Sequence, residues 1–378
     1  MLHLALTCAL AGFAETPGAP GADDRGRGEL DWFVGSYVEG LREAERRDTL
    51  LLVEFWADWC AWCARHEAEN LTSESVLERL GDFVCLAADL SVDSEGRFLD
   101  PAAAGWMNRF GIRRFPTLVF LRPDGTPEDL ISGFLPADLL NAEIDRIQRG
   151  DRTRTYFERM IRDEPDELEW RYELALKLDA LGDGAGYVRE IQTIEARDPD
   201  GTSLPMRRMA LITLREKLWG CMRDPELEPD PAELTSFLAR ETHAELLCDG
   251  WLLMGSVRDE LGETRQSLRA FRRAWEHVAP DQVAPIGNGI AWGFWLQRER
   301  LTRSDKRFAL EVARAASAAF EKISRDPVAR AQYLDTLACC HYMAGDRSRA
   351  MELMRECMEA APDVAEYRQH LELFETRG

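Results

Sequence analysis

Residues 49–63 read TLLLVEFWADWCAWC. From Thr49 to Trp56 the run is nearly unbroken in apolar side chains, the pattern of a strand buried on both faces of a helix-covered sheet. Asp58-Trp59-Cys60-Ala61-Trp62-Cys63 follows directly and passes into the helix-permissive ARHEAEN of residues 64–70. A cysteine placed where strand turns into helix sits among unpaired backbone N–H groups at the positive end of the helix dipole, which stabilises a thiolate. The second cysteine, three residues on, shares the same helix face. Cys60 therefore reads as an attacking thiolate and Cys63 as the thiol that resolves a mixed disulfide.

A CxxC pair alone is weak evidence, so its flanks decide. Upstream, Asp31 to Arg47 carries Trp32, Phe33, Tyr37, Val38 and Leu41 on one side, which predicts an amphipathic helix. Downstream, FVCLAADL at 83–90 is strand-like. After about residue 151 every segment repeats at helical spacing. Two domains follow, 29–150 and 151–378.

The 378 residues carry 47 basic and 68 acidic side chains, a net charge of −21, and 45% are hydrophobic. Such a composition supports packed cores, and the acidic balance argues against nucleic acid as a principal partner. No uncharged apolar run of about 18 residues follows the N-terminus, so no membrane span is expected. Residues 1–14, MLHLALTCALAGFA, read as an export signal with Gly12 and Ala14 at a small-x-small cleavage site, and Cys8 as an ordinary residue within it. Residues 15–28 read as a flexible linker. The expected location is periplasmic or cell-envelope; without a functional signal it is cytoplasmic.

LLVEFWADWCAWC and the Phe110-Gly111-Ile112-Arg113-Arg114-Phe115-Pro116-Thr117 segment together resemble the thioredoxin superfamily over roughly residues 30–150. Within it, Trp62 before the second cysteine and the acidic helix after it look most like the exported CxWC thioredoxin-like proteins, and the Ala-Asp-Trp-Cys segment is similar to the C-terminal domain of DsbD. The resemblance implies an α/β thioredoxin fold, a central mixed sheet flanked by helices, and residues 117–140 look like the family's closing hairpin, with a Pro-Asp-Gly turn at 123–125, a Gly133-Phe134-Leu135 bend and a final helix. It also implies a cis peptide before Pro116 that presents Phe115 to a bound peptide strand. Glu54 stands where the family carries a buried carboxylate that relays a proton to the resolving cysteine, and an apolar strand should raise its pKa toward neutrality. Trp59 and Trp62 are expected to shape a substrate rim, and Trp56 to pack inside. The family's Lys after the second cysteine is here Ala64.

Other cysteine chemistry is not expected. Cys60, Cys63 and His66 are spaced i, i+3, i+6, but a closed zinc site needs four ligands and no second pair is present, so no metal is expected and His66 is read as a helix-surface residue. Cys85 is read as a small core side chain. Cys221, Cys248, Cys339, Cys340 and Cys357 are read as buried thiols without a catalytic part.

The helical half resembles tetratricopeptide (TPR) repeats over about 155–365. Leu334, Leu337, Ala338, His341, Gly345, Ala350, Met354, Cys357 and Pro362 fall on successive positions of the template. The interval from Gly345 to Pro362 recurs from Gly182 to Pro199, and from Gly262 to Pro280 it is one residue longer. Residues 288–324 read as a divergent unit, and Phe294, Trp292 and Trp295 as stacking residues. Such helix pairs stack into a solenoid because each alone leaves an apolar face wet. The whole predicts a thiol–disulfide oxidoreductase acting on protein substrates. It needs no cofactor beyond the Cys60–Cys63 disulfide, an upstream electron donor or acceptor supplies it, and its repeats hold a protein partner. The competing reading is a TPR adaptor with a thioredoxin-like docking module.

Overall fold

The computed structural model of the chain describes residues 29–224 and 226–376. The expected signal and linker, with Cys8, lie outside the described residues. The described residues form two compact units that divide between Met206 and Arg207.

In the first unit the elements run α1 (Tyr37–Arg47), β1 (Leu51–Trp56), α2 (Ala61–Glu69), α3 (Glu74–Leu80), β2 (Val84–Asp89), α4 (Pro101–Arg109), β3 (Thr117–Leu121), β4 (Pro127–Ser132) and α5 (Ala137–Gln148). Three further helices complete it, α6 (Arg154–Asp163), α7 (Leu168–Ala180) and α8 (Gly184–Arg197). The sheet order is β2-β1-β3-β4, with β1 parallel to β2 and β3 antiparallel to both β1 and β4. This is the mixed, helix-flanked sheet expected from the sequence.

β1 lies inside the sheet, and its side chains alternate between two cores. Leu51, Val53 and Phe55 pack with Ala44, Ala103 and Phe110, while Leu52 packs with Leu71, Leu80, Leu118 and Ile144. Helix α1 starts six residues later than the apolar pattern predicts. Ser36 caps it, donating to and accepting from Glu39 in a capping box, and Phe33 N–H instead bonds the carbonyl of Cys85. Trp32 and Phe33 thus belong to an extended lead-in segment rather than to the helix.

The sequence boundary at 150/151 and the division at 206/207 differ because α6 and α7 are tied to β4 and α8 packs on α7. β4 is an edge strand carrying two buried carboxylates, a sequence poorly suited to self-association. Glu128 accepts from the backbone N–H and hydroxyl of Thr155 at 2.9 and 2.8 Å, at the start of α6. Asp129 is held by Arg146 at 2.9 Å and by Lys177 of α7 at 2.7 Å. Paired and hydrogen-bonded, these charges tolerate burial; one left without its partner would cost about 3–5 kcal/mol. At the α7–α8 turn, Gly182 has φ +79° and sits against the backbone that follows α4.

The second unit is helical throughout: α9 (Leu204–Arg223), whose first turn contains the division, α10 (Ala232–Leu238), α11 (Ala244–Glu260), α12 (Thr264–Trp275), α13 (Val283–Leu296), α14 (Arg303–Phe320), α15 (Pro327–Met343), α16 (Arg347–Ala360) and α17 (Ala365–Thr376). α11 packs with α12, α13 with α14, and α15 with α16, giving successive hairpins. Gly345, at φ +91°, ends α15 as its position in the repeat template predicts. Phe294 and Trp295 are fully inside the shared core, with Trp292 at its margin.

A Cβ at Gly182 would lie 2.8 Å from the backbone carbon of Phe110 and 3.0 Å from its oxygen, whereas one at Gly150, also left-handed, meets nothing. Gly150→Ala is expected to cost about 1 kcal/mol and Gly182→Ala at least about 1 kcal/mol more, read as a difference in urea midpoint.

Candidate functional site

The redox pair is placed by the end of β1 and the start of α2. The intervening turn is closed by Cys60 N–H on the Ala57 carbonyl and by Asp58 N–H on the Ser91 hydroxyl. Cys60 is the N-cap of α2: its carbonyl accepts from Cys63 and Ala64, and its sulfur accepts from Cys63 N–H at 3.1 Å. A sulfur in that place serves in the role of a capping oxygen, facing unpaired amides and the helix dipole. The two sulfurs form a disulfide, with Cys60 7% and Cys63 4% exposed.

Around the pair stand the other residues singled out by the sequence. The Phe115–Pro116 peptide is cis, and the Pro116 carbonyl accepts from Gly133 N–H. Trp59 is 58% exposed and meets Phe115 edge to face at 5.5 Å. Trp62, 44% exposed, stacks on Phe134 at 5.5 Å. The Arg65 guanidinium lies 4.3 Å above the Phe134 ring while its Nε pairs with Glu69. Two aromatic pairs thus form a partly wet rim, and Phe134 and Arg65 join it without having been singled out. Phe134 lay in the quoted Gly-Phe-Leu bend, yet only the return of β4 brings it to Trp62.

Glu54 is buried in β1, as its strand position demands. His66 departs from the surface position expected of it: it is 1% exposed. Cys63 and His66 are the buried residues of α2, and their i, i+3 spacing sets both on its inward face. The imidazole Nε2 is 3.8 Å from a Glu54 carboxylate oxygen, longer than a direct hydrogen bond. Asn70 Nδ2 lies 2.9 Å from His66 Nδ1 and 2.9 Å from the Leu135 carbonyl. A carbonyl only accepts, so the amide nitrogen donates both its protons there, and Nδ1 is the acceptor. The ring proton is left on Nε2, toward Glu54. Burial pushes the imidazole down to about 4, so it is neutral at pH 7.

Among the described residues, the remaining thiols other than Cys221 are sealed. Cys85, Cys248, Cys339, Cys340 and Cys357 are buried and Cys221 is half-buried, none of them bridged. Burial, with Glu54 adding to it, pushes Cys85 up to about 12.

A capped cysteine pair at a strand-to-helix junction, with Phe115 of a cis Phe115–Pro116 peptide packed against the core that holds both cysteines, defines a thioredoxin-fold dithiol protein. The thioredoxin-like domain family matches residues 38–148. Thioredoxin from Chlorobaculum thiosulfatiphilum is 32% identical over 101 residues, 26% of this chain and 79% of that protein. The thiol:disulfide interchange protein DsbD of Photorhabdus laumondii is 25% identical over 101 residues, 26% of this chain; the chain spans only 16% of that relative's length. A solution structure of a thioredoxin from Thermus thermophilus aligns with TM-score 0.26 and 23% identity, over 31% of this chain and 86% of that one. The chain belongs to the thioredoxin family.

His66 supplies a pH signature. Its folded pKa lies below the ordinary 6.5, so as pH falls from 6.5 toward 4 the unfolded chain takes up a proton that the folded one refuses. Stability contributed by the neutral ring is complete above that window and lost on descending through it, by up to about 3 kcal/mol. Urea unfolding at stepped pH should show this loss in the parent chain and a flatter profile in His66→Gln.

Proposed function

We propose that the chain is a thiol–disulfide oxidoreductase acting on protein disulfides. The observation that carries this reading is the sulfur of Cys60 standing as the cap of α2. In the reduced state the Cys60 thiolate attacks one sulfur of the partner's disulfide. That bond breaks, one partner sulfur leaves as a thiolate, and the other remains joined to Cys60. Cys63 then gives up its proton and attacks the Cys60 sulfur, releasing the second partner thiolate and forming Cys60–Cys63. Two electrons pass from the pair to the partner, and an upstream dithiol donor restores them.

Glu54 is proposed to take the Cys63 proton, with His66 holding the carboxylate from its Nε2 side and Asn70 holding His66. Trp59, Trp62, Phe115 and Pro116 are proposed to receive the partner chain, the exposed tryptophans giving apolar contact and the Phe115 backbone pairing with an extended strand. The resemblance to DsbD and the signal-like first 14 residues support an exported, periplasmic or cell-envelope setting. No described helix is long and apolar enough to cross a membrane. The helical hairpins are proposed as TPR-like repeats that hold a protein partner, the acidic charge favouring a basic one.

Dithiothreitol-driven insulin reduction tests the assignment. Cys60→Ser should abolish turnover, and Cys63→Ser should accumulate mixed disulfides that non-reducing gels resolve. Glu54→Gln is expected to slow resolution by about 10²-fold. Unchanged turnover in Cys60→Ser sinks the catalytic reading and leaves the adaptor, whose partner capture would survive loss of both cysteines.

A further inference from the structure

In the second unit three donor atoms meet on residues that the redox chemistry does not use. Asp335 and Cys339 lie four residues apart on α15 and so share one face, and His370 of α17 packs against them. His370 Nδ1 is 2.7 Å from Asp335 Oδ1 and 3.8 Å from Cys339 Sγ, and that sulfur is 3.8 Å from the same Asp335 oxygen. Cys339 and Asp335 are buried and His370 nearly so, its side chain 12% exposed. The rings of Trp292 and Trp295 stand 6.0 and 5.7 Å from the imidazole, so the cluster has an apolar wall.

The arrangement differs from a nucleophilic triad. A relay sets the thiol and the carboxylate on opposite nitrogens of the imidazole. Here both face Nδ1, and the three atoms surround one point. A structural hydrogen bond would account for aspartate and histidine but gives the sulfur no reason to join them. The separations do: a tetrahedral ion with bonds of about 2.3 Å to sulfur and about 2.0–2.1 Å to nitrogen and oxygen sets its ligands about 3.3 Å (N to O) and about 3.6 Å (S to N or O) apart. The observed triangle needs only about 0.6 Å of opening on its short side and about 0.2 Å of closure on the others to meet that geometry.

We propose that Asp335, Cys339 and His370 bind a borderline divalent cation of the zinc class. A thiolate and an imidazole disfavour magnesium and calcium, which take oxygen ligands. On binding, the Cys339 thiol proton is expelled, the imidazole proton resides on Nε2, and the Nδ1 lone pair, Sγ and Oδ1 become ligands. The fourth position falls to water. The bound ion cross-links α15 to α17, tying the terminal helix to the last hairpin.

Zinc titration of the full chain against a chromophoric chelator is the test, with Cys60 and Cys63 kept as their disulfide so that neither ligates. One equivalent of zinc per chain is expected, and cobalt in its place should show a thiolate charge-transfer absorption. Cys339→Ala should weaken zinc binding at least tenfold and remove that band, while Cys340→Ala, one residue round the helix, should leave both unchanged. Should Cys339→Ala fail to fold, His370→Gln, which keeps a hydrogen-bonding group toward Asp335, carries the same reading. A parent chain that retains no zinc, or retention undiminished in the ligand variants, overturns the proposal.

Discussion

The N–H of Cys63 pointing at the sulfur of Cys60 from 3.1 Å is a weak contact by itself, yet it sets what the rest of the first unit must accomplish. A capping sulfur is useful only if the helix starts at that residue and the strand before it cannot move. β1 meets the second need because it is buried on both faces and paired on both sides, so its end is fixed from four directions. The hydrogen bond between Asp58 N–H and Ser91 then anchors the turn itself, carrying the rigidity of the sheet two residues short of the sulfur.

The core beneath the pair also holds polar groups. Glu54 and His66 are buried where apolar residues would pack better, and Asn70 donates one amide proton to the imidazole and the other to the Leu135 carbonyl, which keeps the ring in one tautomer. Such an arrangement lowers stability in acid while keeping a carboxylate and a neutral ring under the helix face that carries Cys63. The β4 edge of the sheet uses charge differently. Glu128 and Asp129 are each answered by partners on neighbouring helices, which closes β4 against further strands and ties α6 and α7 into the unit.

The fold was legible where a local pattern and a long-range need coincide. The two-faced apolar run of β1, the Pro-Asp-Gly turn and the Gly345-to-Pro362 interval each report structure within a few residues. The buried place of His66 was not, because a polar ring one turn beyond Cys63 reads as solvent-facing unless Asn70 and Glu54 are known to wait for it. The start of α1 was missed for a related reason: Trp32 and Phe33 continue the apolar period, but the capping box at Ser36 overrides it. The contact of Trp62 with Phe134 and the Asp335–His370 bond join residues far apart in sequence, beyond any spacing argument.

The capping geometry makes one prediction more direct than any turnover assay. With the pair reduced, the rate of iodoacetamide alkylation at Cys60 followed against pH reports the fraction of thiolate at that sulfur alone. The account predicts a half-maximal rate well below about pH 8.5, where an unperturbed cysteine reaches it, and a shift upward when α2 is broken at its first turn by Ala61→Gly. A half-maximal rate at or above the free-cysteine value would show that the helix start does not ionise Cys60, and would contradict the account.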